Sequence, residues 1–126
     1  LLAGVPAIPY AFYKLVHLSG ILLVFLSLGG LLTHAINSGE ADHPWRKGAV
    51  ISHGVGTLLA LLGGFGMLAK LGMHWHGWII AKIGIWLFVG VLPVILRRKP
   101  AVAKPLWIGM VLLAAAAAAL ALFKPF

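Results

Sequence analysis

The chain has 126 residues, of which 62% are hydrophobic and 10% are charged. A soluble domain carries about 25% charged residues, so this composition excludes a soluble enzyme. It is also far too hydrophobic for a disordered segment. Ten Lys and Arg against two acidic residues give a net charge of +8. Because the basic residues lie between long apolar runs, they indicate membrane topology rather than nucleic-acid binding.

Four apolar segments follow one another, each long enough to cross a hydrocarbon core of about 30 Å. Their approximate bounds are residues 11–34, 47–69, 78–96 and 106–123. Each must be helical, because lipid offers no hydrogen-bond partners to an open backbone. The connections are short, so neighbouring helices should be antiparallel. The sequence therefore predicts an all-α fold: an integral membrane four-helix up-down bundle that forms a single transmembrane domain over residues 1–126.

Prolines and aromatic residues mark the ends of these segments. Pro6 precedes the first helix, and Pro105 suits the first turn of the fourth. Pro93 should kink the third helix, because proline removes a helix hydrogen bond. No small-residue cleavage pattern follows the first segment, so we do not expect a removable signal peptide. Aromatic rings typical of headgroup anchors occur near segment ends, at Tyr10, Tyr13, Trp45, Trp75, Trp78 and Trp107.

The loops carry the topology signal. Loops one and three together hold six basic residues: Arg46, Lys47, Arg97, Arg98, Lys99 and Lys104. The other side holds Lys70 and Lys124, and it gains two more if Lys14 and Lys82 snorkel outward. Either count favours loops one and three in the cytoplasm. We therefore expect a bacterial inner-membrane protein with both termini outside the cytoplasm.

Two helices carry polar and small residues on one face. On the first helix this face comprises His17, Gly20, Val24, Ser27, Leu31 and His34; on the second it comprises His53, Thr57, Ala60, Gly64 and Met67, with Gly56 and Gly63 beside it. Residues at steps of three and four share a helix face. Because small residues let backbones pack closely, we expect these two faces to turn towards the bundle or a partner.

Histidines on membrane helices raise the hypothesis of a haem or another tetrapyrrole, for which His17, His34 and His53 are the candidate ligands. The depths of His17 and His53 in the membrane disfavour one haem shared by the two. Counted from the centres of their antiparallel helices, the two residues lie about 15 Å apart along the membrane normal. His34 and His53 differ by about 10 Å. Two axial ligands of one iron lie only about 4 Å apart. The alternative for His53 is a buried imidazole bonded to a backbone carbonyl or to Thr57.

A second group combines Lys14, His17 and Lys82 near the outer face. Two lysines and a histidine could bind an anionic lipid headgroup, a quinone oxygen or a porphyrin propionate. The alternative is that the two lysines snorkel beside an interfacial histidine.

The sequence indicates neither a catalytic residue nor a metal site. Glu40, Asp42 and His43 in the first loop, and His74 and His76 in the second, are too few or badly spaced for a metal centre. There is no Ser-His-Asp set and no phosphate-binding loop. No acidic residue lies within a membrane segment, which weighs against a carboxylate-based transporter or pump. A non-catalytic role is therefore favoured over an enzyme.

Several of these motifs together suggest a family. Lys14-x-x-His17, His53 followed by Gly63-Gly64, and Trp78-x-x-x-Lys82 resemble the SirB-type family of small four-helix membrane proteins. More loosely, the chain resembles the histidine-bearing bundles of the CopD and HemJ types. The resemblance covers residues 14–100. SirB-type proteins have no well-defined biochemical activity, whereas the HemJ likeness implies haem b at His17 and His53.

Three functional hypotheses follow. The first is a small non-catalytic accessory subunit packed against a larger respiratory or photosynthetic complex, or a homo-oligomer, through glycine and alanine surfaces. The second is a b-type haem or other tetrapyrrole-binding redox protein of electron transport. The third is a small transporter or lipid-binding protein that uses Lys14 and Lys82. Membrane lipids are partners in each case, and nucleic acid is a partner in none.

Overall fold

A computed structural model describes residues 9–40, 43–72 and 74–126. Pro6 and Asp42, singled out above, lie outside these ranges. The elements in chain order are α1 (Tyr10–Ser38), α2 (Arg46–Leu71), α3 (Gly77–Arg98), a 3₁₀ turn (Pro100–Val102) and α4 (Ala103–Phe123). Each of the four helical segments is long and apolar enough to cross a membrane. The structure thus confirms the all-α four-helix prediction.

The helices extend beyond the apolar runs that predicted them. Polar residues begin at His34, yet α1 continues to Ser38 and ends where Gly39 adopts φ +72° and bonds its N–H to the Ala35 carbonyl. Gly72 ends α2 in the same way, with φ +61°. A left-handed glycine terminates a helix whatever the local hydropathy. At about 43 Å for 29 residues, α1 is therefore longer than a hydrocarbon core of about 30 Å.

Consecutive helices are antiparallel, as predicted. His17 on α1 bonds to Ala60 on α2, and Gly20 lies against Gly56 and Ala60, so residue numbers fall on one helix as they rise on the other. His53 on α2 likewise bonds to Val89 on α3. The start of α3 lies beside Phe126, just after α4. Loops one and three therefore lie at one end of the bundle, which we call the basic end; the start of α1, loop two and the end of α4 form the opposite end.

The α1–α2 pair is the most intimate contact of the bundle. A Cβ added at Gly20 would lie 2.5 Å from the Ala60 nitrogen, and one at Gly56 would lie 2.8 Å from the Gly20 oxygen. At Gly63 it would overlap the backbone of His17. Only glycine permits this backbone approach, which is how membrane helices associate without a hydrophobic driving force. The small faces predicted on α1 and α2 thus pack on each other, with Gly56 and Gly63 more buried than Thr57 and Gly64.

The main core lies towards the basic end. It is formed by the second half of α1 with the start of α2, the end of α3 and the start of α4: Val24, Leu28, Leu31, Leu32, Ala35, Ala49, Val89, Leu92, Leu96, Ala103 and Met110. Leu31 and Leu92 lie near its centre, with 0% and 1% of their surface exposed. Towards the opposite end, the glycine contacts of α1 with α2 are joined by the buried Trp78 and Ile79 at the start of α3.

Candidate functional site

His53 holds α2 against α3 by an interhelical hydrogen bond. Its imidazole is 4% exposed, and Nε2 donates to the Val89 carbonyl oxygen at 3.0 Å. Pro93 lies four residues after Val89 in α3 and has no N–H, so the helix itself leaves this carbonyl without its usual donor. His53 supplies that donor. The alternative considered for His53, a buried imidazole bonded to a backbone carbonyl, is what the structure shows.

A second bond joins the same two helices in the reverse direction. The indole Nε1 of Trp86 on α3 donates to the Thr57 carbonyl on α2 at 2.9 Å. Thr57 and His53 are one turn apart on α2, and their partners are nearly one turn apart on α3. The two bonds therefore fix both the spacing and the register of α2 and α3.

His17 is bound differently. Its Nδ1 lies 2.6 Å from the Ala60 carbonyl oxygen. A carbonyl oxygen cannot donate, so Nδ1 carries the proton and the lone pair of the neutral ring is on Nε2. Metal-binding histidines commonly have this arrangement, with one nitrogen donating to a carbonyl and the other free to ligate. Gly64 contributes to the room around the ring, because a Cβ there would already lie 3.4 Å from Nδ1.

The structure does not bring the three predicted cofactor ligands together. His17 is level with Ala60, which lies seven residues, or about 10 Å, along α2 from His53. The Nε2 of His53 is already committed to Val89. His34 lies at the basic end, where its ring packs edge-on against that of His43 with centroids 5.1 Å apart. No pair among the three can therefore ligate one iron in this conformation, and only His17 has a free Nε2 beside a donor bond.

The charged residues around Lys82 include a lysine, Lys124, that the sequence analysis did not assign to this group. Lys82 is half-buried and lies within electrostatic range of His17 and of Lys124. Lys124 also lies over the Trp78 ring, with its Nζ 5.6 Å from the centroid. Lys14 is exposed, and Lys124 is a lysine whose positive charge acts on Lys82. In the sequence, Lys124 was identified only as a basic residue after the last helix, which served to predict the membrane orientation.

No acidic side chain in the described ranges lies near enough to neutralise this cluster. The chain has two acidic residues, Glu40 and Asp42, and both belong in sequence to the connection between α1 and α2. Glu40 lies just after α1, at the far end of the bundle. A partly buried ammonium near another cation is costly in a low-dielectric environment unless it is paired. Lys82 therefore has the charge and partial burial to pair with an anionic group, such as a phosphate or a carboxylate.

The structure shows a groove at the basic end that the sequence did not predict. It has a volume of about 600 Å³ and lies mainly along α1, facing α4. Its lining residues are Phe25, Leu26, Gly29, Gly30, Thr33, His34, Asn37, His43 and Trp107. His34 was singled out from the sequence, but its pairing with His43 depends on how the first loop folds back on α1.

Comparisons of the chain with models of known protein families, with curated proteins and with solved structures gave no match.

Proposed function

We propose that this protein is a non-catalytic accessory subunit of the membrane, which packs through α4 against the helices of a larger complex, of the respiratory or photosynthetic kind. The observation that carries the proposal is how little of α4 its own bundle covers. The buried residues of α4 are Ala103 and Met110, both in its first half. By contrast, seven residues of α1 are buried.

The uncovered part of α4 is suited to helix packing. It contains six consecutive alanines, 114–119, of which Ala115, Ala116 and Ala118 are exposed and the others half-buried. Lipid tails are contacted equally well by larger apolar side chains, whereas small residues allow another helix to approach closely. On α3, Gly84 and Gly90 are also exposed, and a Cβ at either would meet no neighbouring atom within 4 Å. These small residues are explained if another helix covers them.

The membrane orientation belongs to the same proposal. Loops one and three lie at the basic end, which places their six basic residues together. The positive-inside rule then assigns the basic end to the cytoplasm of a bacterial inner membrane and the termini to the other side. Membership of the SirB-type family stays a prediction, supported by the motifs between Lys14 and Pro100.

Cysteine cross-linking in native membranes tests the subunit proposal. The chain has no cysteine, so Ala116→Cys places a single thiol on the exposed alanine surface. Leu22→Cys is the matched control, because Leu22 is 71% exposed on α1, a helix that the bundle already covers on its other side. We expect benzophenone-4-maleimide, coupled to the new thiol and then photoactivated so that it inserts into a neighbouring C–H bond, to join the Ala116→Cys variant, but not the Leu22→Cys variant, to one discrete integral membrane protein. An adduct of twice the chain's own mass, or no adduct, would contradict the proposal.

A second candidate function is tetrapyrrole binding at the opposite end of the bundle. The free Nε2 of His17 supports it, as does Lys82 nearby, which could pair with a propionate. The protein purified from haem-replete cells would then show a Soret band that His17→Ala removes. His74→Ala, in the exposed second loop, is the control and should retain the band. A colourless wild-type protein would rule this function out.

The third hypothesis, a small transporter or lipid-binding protein, rests on the same half-buried Lys82. It requires that Lys82→Ala reduce the retained anionic lipid, while Lys14→Ala, which removes an exposed lysine, has a smaller effect. Equal losses from the two variants would indicate nonspecific surface charge instead.

A further inference from the structure

The groove at the basic end combines an open floor with aromatic walls. Gly29 and Gly30 lie in its floor, and a Cβ at either position would meet no other atom within 4 Å. Phe25 on α1 and Trp107 on α4 contribute aromatic surface. The groove is a shallow, open depression of about 600 Å³ rather than an enclosed cavity. This part of the groove suits an apolar chain.

Hydrogen-bonding groups collect at one end of the same groove. His43 accepts the Trp45 backbone N–H at its Nδ1, at 2.9 Å, so the proton of the neutral ring is on Nε2, which remains a donor. The His34 ring packs against it edge-on. In the described ranges, the side chains of His34 and Asn37 make no hydrogen bond within the protein. Three polar side chains therefore line one apolar groove with hydrogen-bonding capacity to spare.

Depth and charge indicate which kind of head would bind there. His34 and Asn37 lie in the last turns of α1, the part of this long helix that extends towards the headgroups. Lys104 lines an adjoining groove that shares Thr33 and Trp107 with the first one. Loop one also holds the two acidic residues, Glu40 and Asp42, but loops one and three together carry six basic residues. The net charge of the basic end is thus positive, and the available side-chain donors suit phosphate oxygens.

We propose that this groove is a binding site for one anionic phospholipid. The phosphate accepts hydrogen bonds from Asn37 and the Nε2–H of His43, beside His34, and it is attracted by Lys104. One acyl chain runs along Gly29 and Gly30 between the aromatic walls. The site is separate from the His17–Lys82 cluster, which lies at the opposite end of the bundle, and it does not depend on the accessory-subunit proposal.

Native mass spectrometry of the delipidated full chain in detergent tests the site. The protein is titrated with dioleoylphosphatidylglycerol and, separately, with dioleoylphosphatidylcholine, which has the same tails and no net charge. We expect the first anionic lipid to bind about fivefold more tightly than the zwitterionic one, the effect of roughly one nearby basic residue. Equal affinities for the two lipids would overturn the proposal.

Variants separate the groove from nonspecific lipid adhesion. Gly30→Leu fills the floor of the groove, and it should weaken binding of the first phosphatidylglycerol about tenfold. Gly54→Leu is the matched control, because Gly54 is an equally open helical glycine on α2, away from the groove. It should bind within about twofold of wild type.

A loop variant tests the headgroup contacts without disturbing helix packing. His43→Ala should weaken binding of both lipids, because phosphatidylcholine carries the same phosphate, whereas Lys104→Ala, which removes an exposed positive charge, should reduce the preference for phosphatidylglycerol. The proposal is wrong if Gly30→Leu binds as the wild type does, if Gly54→Leu weakens binding equally, or if Lys104→Ala leaves the preference intact. Circular dichroism of each variant confirms that the helices are retained.

Discussion

The bond between His53 and the Val89 carbonyl gives the sharpest stability prediction. Truncation by His53→Ala leaves that carbonyl without a donor, because Pro93 cannot supply one. An unsatisfied buried polar group costs about 1–3 kcal/mol, although measured interhelical bonds in membranes average nearer 0.6 and reach about 1.7 kcal/mol. Loss of a side chain that is 4% exposed adds a cavity term. We therefore expect the free energy of unfolding to fall by about 2–3 kcal/mol.

A double-mutant cycle with Pro93→Ala isolates the hydrogen bond from the cavity. Alanine at position 93 restores the N–H that bonds the Val89 carbonyl within α3, so His53→Ala should cost about 1 kcal/mol less in that background. Unfolding in mixed micelles titrated with sodium dodecyl sulfate, followed by circular dichroism, measures both differences. Trp86→Phe is the control. The indole's acceptor, the Thr57 carbonyl, also has a helical donor in α2, so this substitution leaves no carbonyl without a donor. Strict additivity of His53→Ala and Pro93→Ala would refute the reasoning.

Two further predictions concern packing and topology. Gly20→Ala should destabilise the protein by about 1–3 kcal/mol in the same unfolding assay, because its Cβ would lie 2.5 Å from the Ala60 nitrogen. The control Gly54→Ala, which places its Cβ in open space, should instead raise the free energy of unfolding by up to about 1 kcal/mol. Equal effects of the two variants would contradict the α1–α2 contact. An impermeant maleimide added to intact cells should label Leu71→Cys, at the end proposed to lie outside the cytoplasm, and spare Ala101→Cys, at the basic end. Both residues are exposed, and they lie at opposite ends of the bundle. The reverse labelling pattern would contradict the proposed topology.

The overall fold followed from the sequence because membrane helices must satisfy their own backbone. Four apolar runs and their short connections specified the bundle, and steps of three and four identified the α1 face that includes Gly20, Val24 and Ser27. Their burial confirms that face. The apolar runs at residues 11–34 and 47–69 stop short of the ends of α1 and α2, because hydropathy falls before the left-handed glycines Gly39 and Gly72 end the helices.

The partners of individual polar groups could not be predicted in this way. The sequence alone shows that Pro93 leaves the Val89 carbonyl without its helical donor. Assigning His53 as the replacement donor requires the register of α2 on α3. Similarly, the effect of the Lys124 charge on Lys82 depends on α4 returning beside the start of α3. A change of one helix turn would alter either pairing while leaving the hydrophobic pattern unchanged.

The mass of the particle that holds this chain in native membranes tests the accessory-subunit proposal most directly. After extraction in a mild detergent, native mass spectrometry should find the chain in fixed stoichiometry with other integral membrane proteins. Ala116→Leu places a larger side chain on the exposed alanine surface of α4, and it should release the chain from these partner proteins. Recovery of the wild-type chain as a stable monomer or a homo-oligomer would contradict the proposal.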